Sequence, residues 1–291
     1  MSEDRSRPTL VLGTAQLDSA YGIANRFDGG SRNRALALLR EAESLDVSAL
    51  DTSPSYGSAE SLIGEAQLSI DVYTKIQRGI SPKDSVLASL HRLKRTSVKG
   101  VLVHESSLVL KDAEGVIEKT AALVEEGLAE CAGCSTYTPA EFAAAIANPL
   151  IRIIQAPVNA ADQRLSRSGL LEEAKNHGKV VFARSVFLQG ALLLDEKDIP
   201  EPLSPLRQVV ATIDSCLEGH PEAISRAAVL LLYVRDLPGV SGVVIGCENP
   251  RQLRSNVSIM SSRTVLNREL LANLPSVPSD VLDPRYWQIR V

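Results

Sequence analysis

The feature that most constrains this chain is a strict alternation of a short apolar run and a longer amphipathic run, repeated eight times. The apolar runs fall at 10–14, 49–51, 71–75, 100–104, 129–135, 151–155, 179–183 and 240–246. They are near-continuous in Val, Ile and Leu, as expected of strands buried on both faces of a parallel sheet. Between them apolar residues recur at helical spacing. In 31–46, for example, Ala35, Leu38, Leu39, Ala42 and Leu45 share one stripe. Ser81 followed by Pro82 opens another helix, ending near Arg95. Unbroken βα alternation admits an open doubly wound sheet or a closed barrel. Eight units in 291 residues, near the roughly 250 typical of the barrel, select an α/β fold, a (β/α)8 TIM barrel in a single domain. Its core spans about 9–260. Residues 261–291, with the one tryptophan, Trp287, form a C-terminal tail packing on the barrel.

Charge and composition narrow the class of protein. There are 31 basic and 35 acidic residues, a net charge of −4, and no basic face or run, which argues against a nucleic acid or an anionic membrane as partner. Residues 1–8 are polar and charged, and no apolar run reaches membrane length, so the chain is expected to be cytoplasmic. Four cysteines in a chain this long fit a reducing compartment. Cys131 and Cys134 form a C-x-x-C, but within a strand-like run, where residues three apart face opposite sides. They read as buried strand cysteines, and no metal site is expected. Polar loops at 25–30 and 188–205 are expected to form the rim.

In such a barrel, functional groups sit at the C-terminal ends of the strands. Strand two ends in Asp51, strand three in Lys75 and strand four in His104, and Tyr56 lies on the loop after strand two. Each has an ordinary structural explanation alone: a helix cap, a solvated lysine, a structural histidine, a loop wedge. Their convergence from three successive strands favours chemistry. A phenol of pKa about 10 is a poor acid at neutral pH until a cation stabilises its phenolate. Lys75 supplies that cation and Asp51 keeps it charged. His104 offers a hydrogen bond to a carbonyl oxygen. Such a set protonates an alkoxide, or deprotonates an alcohol, while something else moves a hydride. No side chain moves hydride, so a nicotinamide is implied. There is no G-x-G-x-x-G after a strand, which removes the Rossmann mode of binding it.

Asp51-Thr52, Tyr56-Gly57, Glu60 and Gly64, followed by Lys75 and His104, resemble in order and position the Asp, Tyr, Lys, His tetrad of the aldo-keto reductases. The likeness runs from Leu10 to about Asn256. It implies NADP(H) as cofactor, with NAD(H) possible, and a small-molecule carbonyl as substrate. It further implies that Gly13 and Thr14 sit beside both ligands. Ser135 and Gln155 would hold the nicotinamide carboxamide, with Thr136 where the family has Asn. The loop containing Arg184, Ser185, Phe187 and Gln189 would cover the pyrophosphate. Arg184 replaces the family's common stacking aromatic, and a guanidinium plane also stacks on rings. Gly246, Cys247, Arg251, Gln252 and Asn256 resemble the adenosine-phosphate segment. Arg251 or Arg254 would serve the 2′-phosphate, whereas Glu248 would rather accept a ribose hydroxyl. Tyr21 is expected in the substrate pocket, and a sugar-like or small polar carbonyl is the expected substrate. Three other readings are an NAD-dependent sugar or alcohol dehydrogenase, a cofactor-binding regulatory subunit with little turnover, and a phosphate-handling aldolase or isomerase using Lys75. The oligomer is expected to be a monomer or homodimer.

Overall fold

The computed structural model describes residues 7–18, 21–24, 31–112, 114–218, 224–266 and 271–287. The loop read over 25–30 and the end of the tail lie outside the described residues. Eight parallel strands close into a barrel in sequence order. They are β1 (Thr9–Gly13), β2 (Ala49–Asp51), β3 (Asp71–Ile76), β4 (Gly100–Val103), β5 (Ala132–Ser135), β6 (Ile153–Pro157), β7 (Val180–Arg184) and β8 (Gly242–Gly246). Pairing of β1 with β8 closes the ring, with Gly13 opposite Gly246.

The helices follow the strands: α1 (Arg32–Ser44), α2 (Ala59–Ala66), α3 (Pro82–Leu93), α4 (Val116–Glu125) and α5 (Pro139–Ala147) come after β1 to β5. Their starts are chemically marked. Ser81 accepts from the Asp84 N–H at the start of α3. Asp112 accepts from the N–H groups of Val116 and Ile117 ahead of α4. Thr138 and Glu141 make a reciprocal capping box on α5. After β6 come two short helices, α6 (Arg164–Arg167) and α7 (Leu170–Asn176). Gly169, at φ +75°, turns the chain between them. The connection after β7 folds into short 3-10 turns at Leu188–Leu193, Glu196–Asp198 and Glu201–Leu203 before α8 (Pro205–Glu218) and α9 (Arg226–Arg235). α10 (Pro250–Ser261) follows β8, and the tail carries α11 (Ser279–Leu282) and a turn at Pro284–Tyr286. Arg235 is fully buried and stitches α9 to the end of α10, donating to the carbonyls of Ile259, Ser262 and Thr264.

Two apolar layers result. The larger lies between the outer faces of the strands and the helices. The smaller fills the barrel itself with Val11, Ala49, Tyr73, Leu102, Ile153, Phe182 and Val244. Tyr73 and Phe182 meet edge to face at 5.0 Å and close the middle of the barrel. Their registered neighbours are glycines for a steric reason. A Cβ on Gly100 would stand 2.5 Å from the Tyr73 ring, and one on Gly242 would stand 2.8 Å from the Phe182 ring. The thiols of the C-x-x-C belong to different layers. Cys131 packs on the inner one and Cys134 is buried in the outer one. Burial pushes them up to about 11 and about 12, so both stay protonated at neutral pH.

Candidate active site

Side chains of a strand alternate between its two faces, so residues two beyond the inner apolar layer point the same way, one step higher. Those residues are Gly13, Asp51, Lys75, His104, Gln155, Arg184 and Gly246. From β5, where Gly133 packs on Ile153, the corresponding residue is Ser135. One polar ring therefore sits directly on the apolar floor.

At its centre is a buried ion pair. Lys75 is 1% exposed and Asp51 4%. The Lys75 Nζ donates to both Asp51 oxygens, at 2.8 and 2.9 Å, and to the Thr52 carbonyl at 2.9 Å. Burial works against the ammonium, but Asp51 and then Tyr56 more than offset it, and Lys75 is raised above its ordinary range. Gln155 Nε2 donates to Asp51 Oδ1 at 2.8 Å. β6 extends through Pro157, so Gln155 lies within the strand rather than at its end, and its amide nitrogen is engaged by the ion pair. Thr14 fixes the edge of the pair's strand, donating from N and Oγ1 to the Asp51 carbonyl.

Tyr56 lies above this pair, with Lys75 Nζ 5.0 Å from its ring centroid. Burial pushes its phenol up, Lys75 pulls it down, Asp51 pushes it up and Arg184 pulls it down. The net shift is upward. The cation moderates the acidity of Tyr56 without bringing it below the ordinary tyrosine value, because desolvation is the larger effect. His104, just past β4, is held down at about 4 by burial and by the charges of Lys75 and Arg184. Its ring is neutral at pH 7 and carries one N–H.

A cavity of about 540 Å3 opens above the ring. Its walls include Tyr21, Tyr56, His104 and Tyr137 on one side and Gln252, Ser255 and Asn256 of α10 on another. Gly13, Thr14, Gln155 and Gly246 also border it, as do Arg184, Ser185, Phe187 and Gln189. Three residues expected there are placed differently. Ser135 is buried and is not part of the cavity wall. Cys247 is buried and its sulfur accepts from Asn256 Nδ2. Arg251 is exposed on the first turn of α10. Arg254 is engaged by Glu41, with its Nε 2.6 Å from Oε1. Glu248 lines the cavity and accepts from Gln252 Nε2 at 3.2 Å.

The rim is held by loops whose partners were not evident from the sequence. Ile23 N–H donates to the Gln189 carbonyl, and Gln189 Nε2 to the Tyr21 hydroxyl, joining the loop after β1 to the loop after β7. In that second loop Ser185, Leu188 and Gln189 all have φ between 46° and 59°. Such backbone is costly for non-glycine residues and collects at functional sites. Asn159 braces it, donating to the Ser185 carbonyl. Tyr137, missed from the sequence, stands under two guanidinium groups, Arg184 at 4.2 Å and Arg285 of the tail at 3.5 Å. Its signal was the Thr138-x-x-Glu141 box, which fixes the chain immediately after it. Gln16 was missed as well.

Buried polar atoms test whether a dinucleotide fits. Ser135 Oγ, Thr136 Oγ1, Gln16 Oε1 and Gln189 Oε1 have no hydrogen-bond partner among the described residues. Each such atom costs about 1–3 kcal/mol. Gly246 leaves bare backbone in the wall, where a Cβ would meet Gln16 Oε1 at 2.2 Å. Gln16 and Gln189 line the cavity, which therefore suits a long, polar ligand whose amide and hydroxyl groups satisfy their oxygens.

The sequence profile of the Aldo/keto reductase family matches residues 9–276. The chain belongs to the aldo/keto reductase family. It is therefore an NAD(P)H-dependent oxidoreductase. Among curated proteins, this reductase is 25% identical to "Uncharacterized oxidoreductase YqkF" of Bacillus subtilis (strain 168), across 93% of this chain and 96% of the relative. Among solved structures it is similar to the holo form of the aldo-keto reductase AKR11C1 from Bacillus halodurans. The TM-score is 0.73 and the identity 20%, over 92% of this chain and 93% of the other. The glycerol dehydrogenase AKR11B4 from Gluconobacter oxydans gives a TM-score of 0.69 at 18% identity, over 97% and 93%. At these identities the structural likeness establishes the fold. No helix among the described residues is long and apolar enough to cross a membrane.

Proposed function

We propose that this aldo/keto reductase reduces an aldehyde or ketone with NADPH, Tyr56 being the proton donor. The observation that carries this reading is the buried Lys75–Asp51 pair beneath Tyr56, with a neutral His104 on the same ring. A dinucleotide held in the cavity would supply the hydride that the carbonyl carbon needs. The protein supplies the rest. His104 donates its N–H to the carbonyl oxygen and orients it. Tyr56 gives the alkoxide its proton, and the resulting phenolate sits against the Lys75 ammonium until solvent returns a proton. Asp51 holds Lys75 charged, and Gln155 and Thr52 hold the pair in place. Burial keeps Tyr56 in the protonated form that donation requires. Ser135, Gln16 and Gln189 would receive the polar groups of the cofactor, with Gly13, Thr14, Arg184, Ser185 and Phe187 lining its path and Gly246, Gln252 and Asn256 the adenosine end.

For the 2′-phosphate, Arg251 is the cation nearest the start of α10, where helix N–H groups also favour an anion. Glu248 in the cavity wall favours a second reading, NADH, by repelling a phosphate and accepting ribose hydroxyls. A small polar or sugar-like carbonyl suits a cavity walled by phenols and amides, in keeping with the name of the Gluconobacter relative. We read the whole chain as one cytoplasmic barrel domain, core 9–260 with the 261–291 tail, acting as a monomer or homodimer.

Oxidation of NADPH and of NADH against a panel of aldehydes and ketones tests both points. Tyr56→Phe is expected to lower kcat by roughly 10²- to 10⁴-fold with cofactor binding retained. Undiminished turnover in Tyr56→Phe overturns the assignment. Higher efficiency with NADH selects the second reading.

A further inference from the structure

We infer that the carbonyl substrate carries an anionic group, a carboxylate or phosphate, and that Arg184 recognises it. This rests on the reading of the cavity as a carbonyl reductase site. The argument is one of charge balance around the reacting groups. Lys75 and Asp51 cancel each other. Burial holds the phenols of Tyr21 and Tyr56 in their neutral form and His104 is neutral. Arg285, the other guanidinium over Tyr137, is held by the Asp283 carboxylate at 2.6 Å. Arg184 is different. Its hydrogen bonds go to the Thr136 carbonyl at 3.2 Å and to Ser185 Oγ at 3.3 Å, both neutral. Among the described residues no carboxylate lies within ion-pair distance of it.

Its position makes this charge part of the reaction field. Arg184 stands in the polar ring on β7, borders the cavity and lies over Tyr137. It borders the cavity together with Tyr21, Tyr56 and His104, so it is at the reacting end. A part-buried guanidinium without a counter-ion among the described residues is costly, and a ligand anion that meets its fork recovers a strong charge-assisted bond. The nicotinamide ring does not provide that anion, being neutral when reduced and cationic when oxidised. The cofactor pyrophosphate is the competing source, and the test separates the two.

Matched pairs of substrates differing in charge are compared: 4-oxobutanoate against butanal, and glyceraldehyde 3-phosphate against glyceraldehyde. The wild-type protein is expected to favour the anionic member of at least one pair by about 10- to 100-fold in kcat/KM, the range of one charged hydrogen bond. In Arg184→Met that ratio falls to about threefold or less, and Arg184→Lys keeps part of it. The ratio is the readout, because any general effect of the substitution acts on both members of a pair. Dinucleotide Kd is measured by fluorescence in parallel. A ratio unchanged in Arg184→Met, with dinucleotide binding weakened, assigns the residue to the pyrophosphate and overturns the inference. Calorimetry of 4-hydroxybutyrate and 1-butanol with the dinucleotide-loaded protein separates this inference from the reductase reading. Turnover of neutral aldehydes with equal binding of both alcohols sinks the charge argument alone. Selective, Arg184-dependent binding of 4-hydroxybutyrate without turnover of any carbonyl keeps Arg184 as the anion-recognising residue and sinks the reductase reading.

Discussion

Replacing Lys75 by Met tests whether the Asp51–Lys75 pair is a dry ion pair. The Asp51 carboxylate is 4% exposed and takes two of its hydrogen bonds from Lys75, leaving the Gln155 amide at 2.8 Å. Stripped of the ammonium, it stays folded most cheaply by taking up a proton. From an ordinary carboxyl pKa of 3.9, protonation at pH 7 costs three pH units at 1.36 kcal/mol each, about 4 kcal/mol. At pH 5 the same term is about 1.5 kcal/mol. Loss of the bond to the Thr52 carbonyl adds about 1 kcal/mol at either pH. Folding of this variant takes up a proton at Asp51, so the cost is smallest at low pH and grows as pH rises. Urea unfolding should therefore show Lys75→Met losing about 5 kcal/mol at pH 7 and about half that at pH 5. Adding Asp51→Asn removes the stranded charge while Asn still accepts from Gln155, and most of the loss should return. A loss below about 1 kcal/mol that does not vary with pH would refute the reasoning, because it would mean that water reaches the pair.

Two further outcomes follow from the same structure. His104 is held near 4, against 6.5 in an unfolded chain, so below pH 6.5 the unfolded chain gains a proton that the folded one refuses. Stability should fall as pH drops from 6.5 towards 4, and His104→Gln should flatten part of that slope in urea titrations. A His104 imidazole titrating near 6.5 by NMR would contradict this. Gly242→Ala places a Cβ 2.8 Å from the Phe182 ring, and is expected to cost about 1–3 kcal/mol by thermal or urea unfolding. An unchanged midpoint would mean that the barrel floor yields.

The strands were legible because a doubly buried parallel strand has to be apolar throughout. Their ends were less so. β5 starts at Ala132, not 129, since Ala129 makes a single bridge to Val98 and no ladder. β6 runs past Gln155 to Pro157, because a proline at the end of a strand gives up only one donor. Asp51, Tyr56, Lys75 and His104 could be found because chemistry at strand ends demands particular residue types. The placing of the Gln155 amide on Asp51 could not, since it joins residues 104 apart and depends on barrel closure. The pairing of Arg254 with Glu41, 213 residues away, was hidden for the same reason. Tyr137 was overlooked because its importance comes from Arg285 in the tail, and no local pattern links the two. The period-2 rule offered one unused clue: each ring residue lies two positions after an inner-layer residue.

The pairing of Tyr73 with Phe182 limits what the cavity can become. An aromatic floor two residues below the polar ring fixes its depth, and glycines at 100 and 242 leave that floor no slack. A ligand bulkier than the cavity has to spread sideways across the rim, along the β1 and β7 loops towards α10. Exchanging rim residues can therefore change which molecules enter while the distance from Tyr56 to the bottom of the site stays constant. The barrel behaves as a gauge of fixed depth with an adjustable mouth.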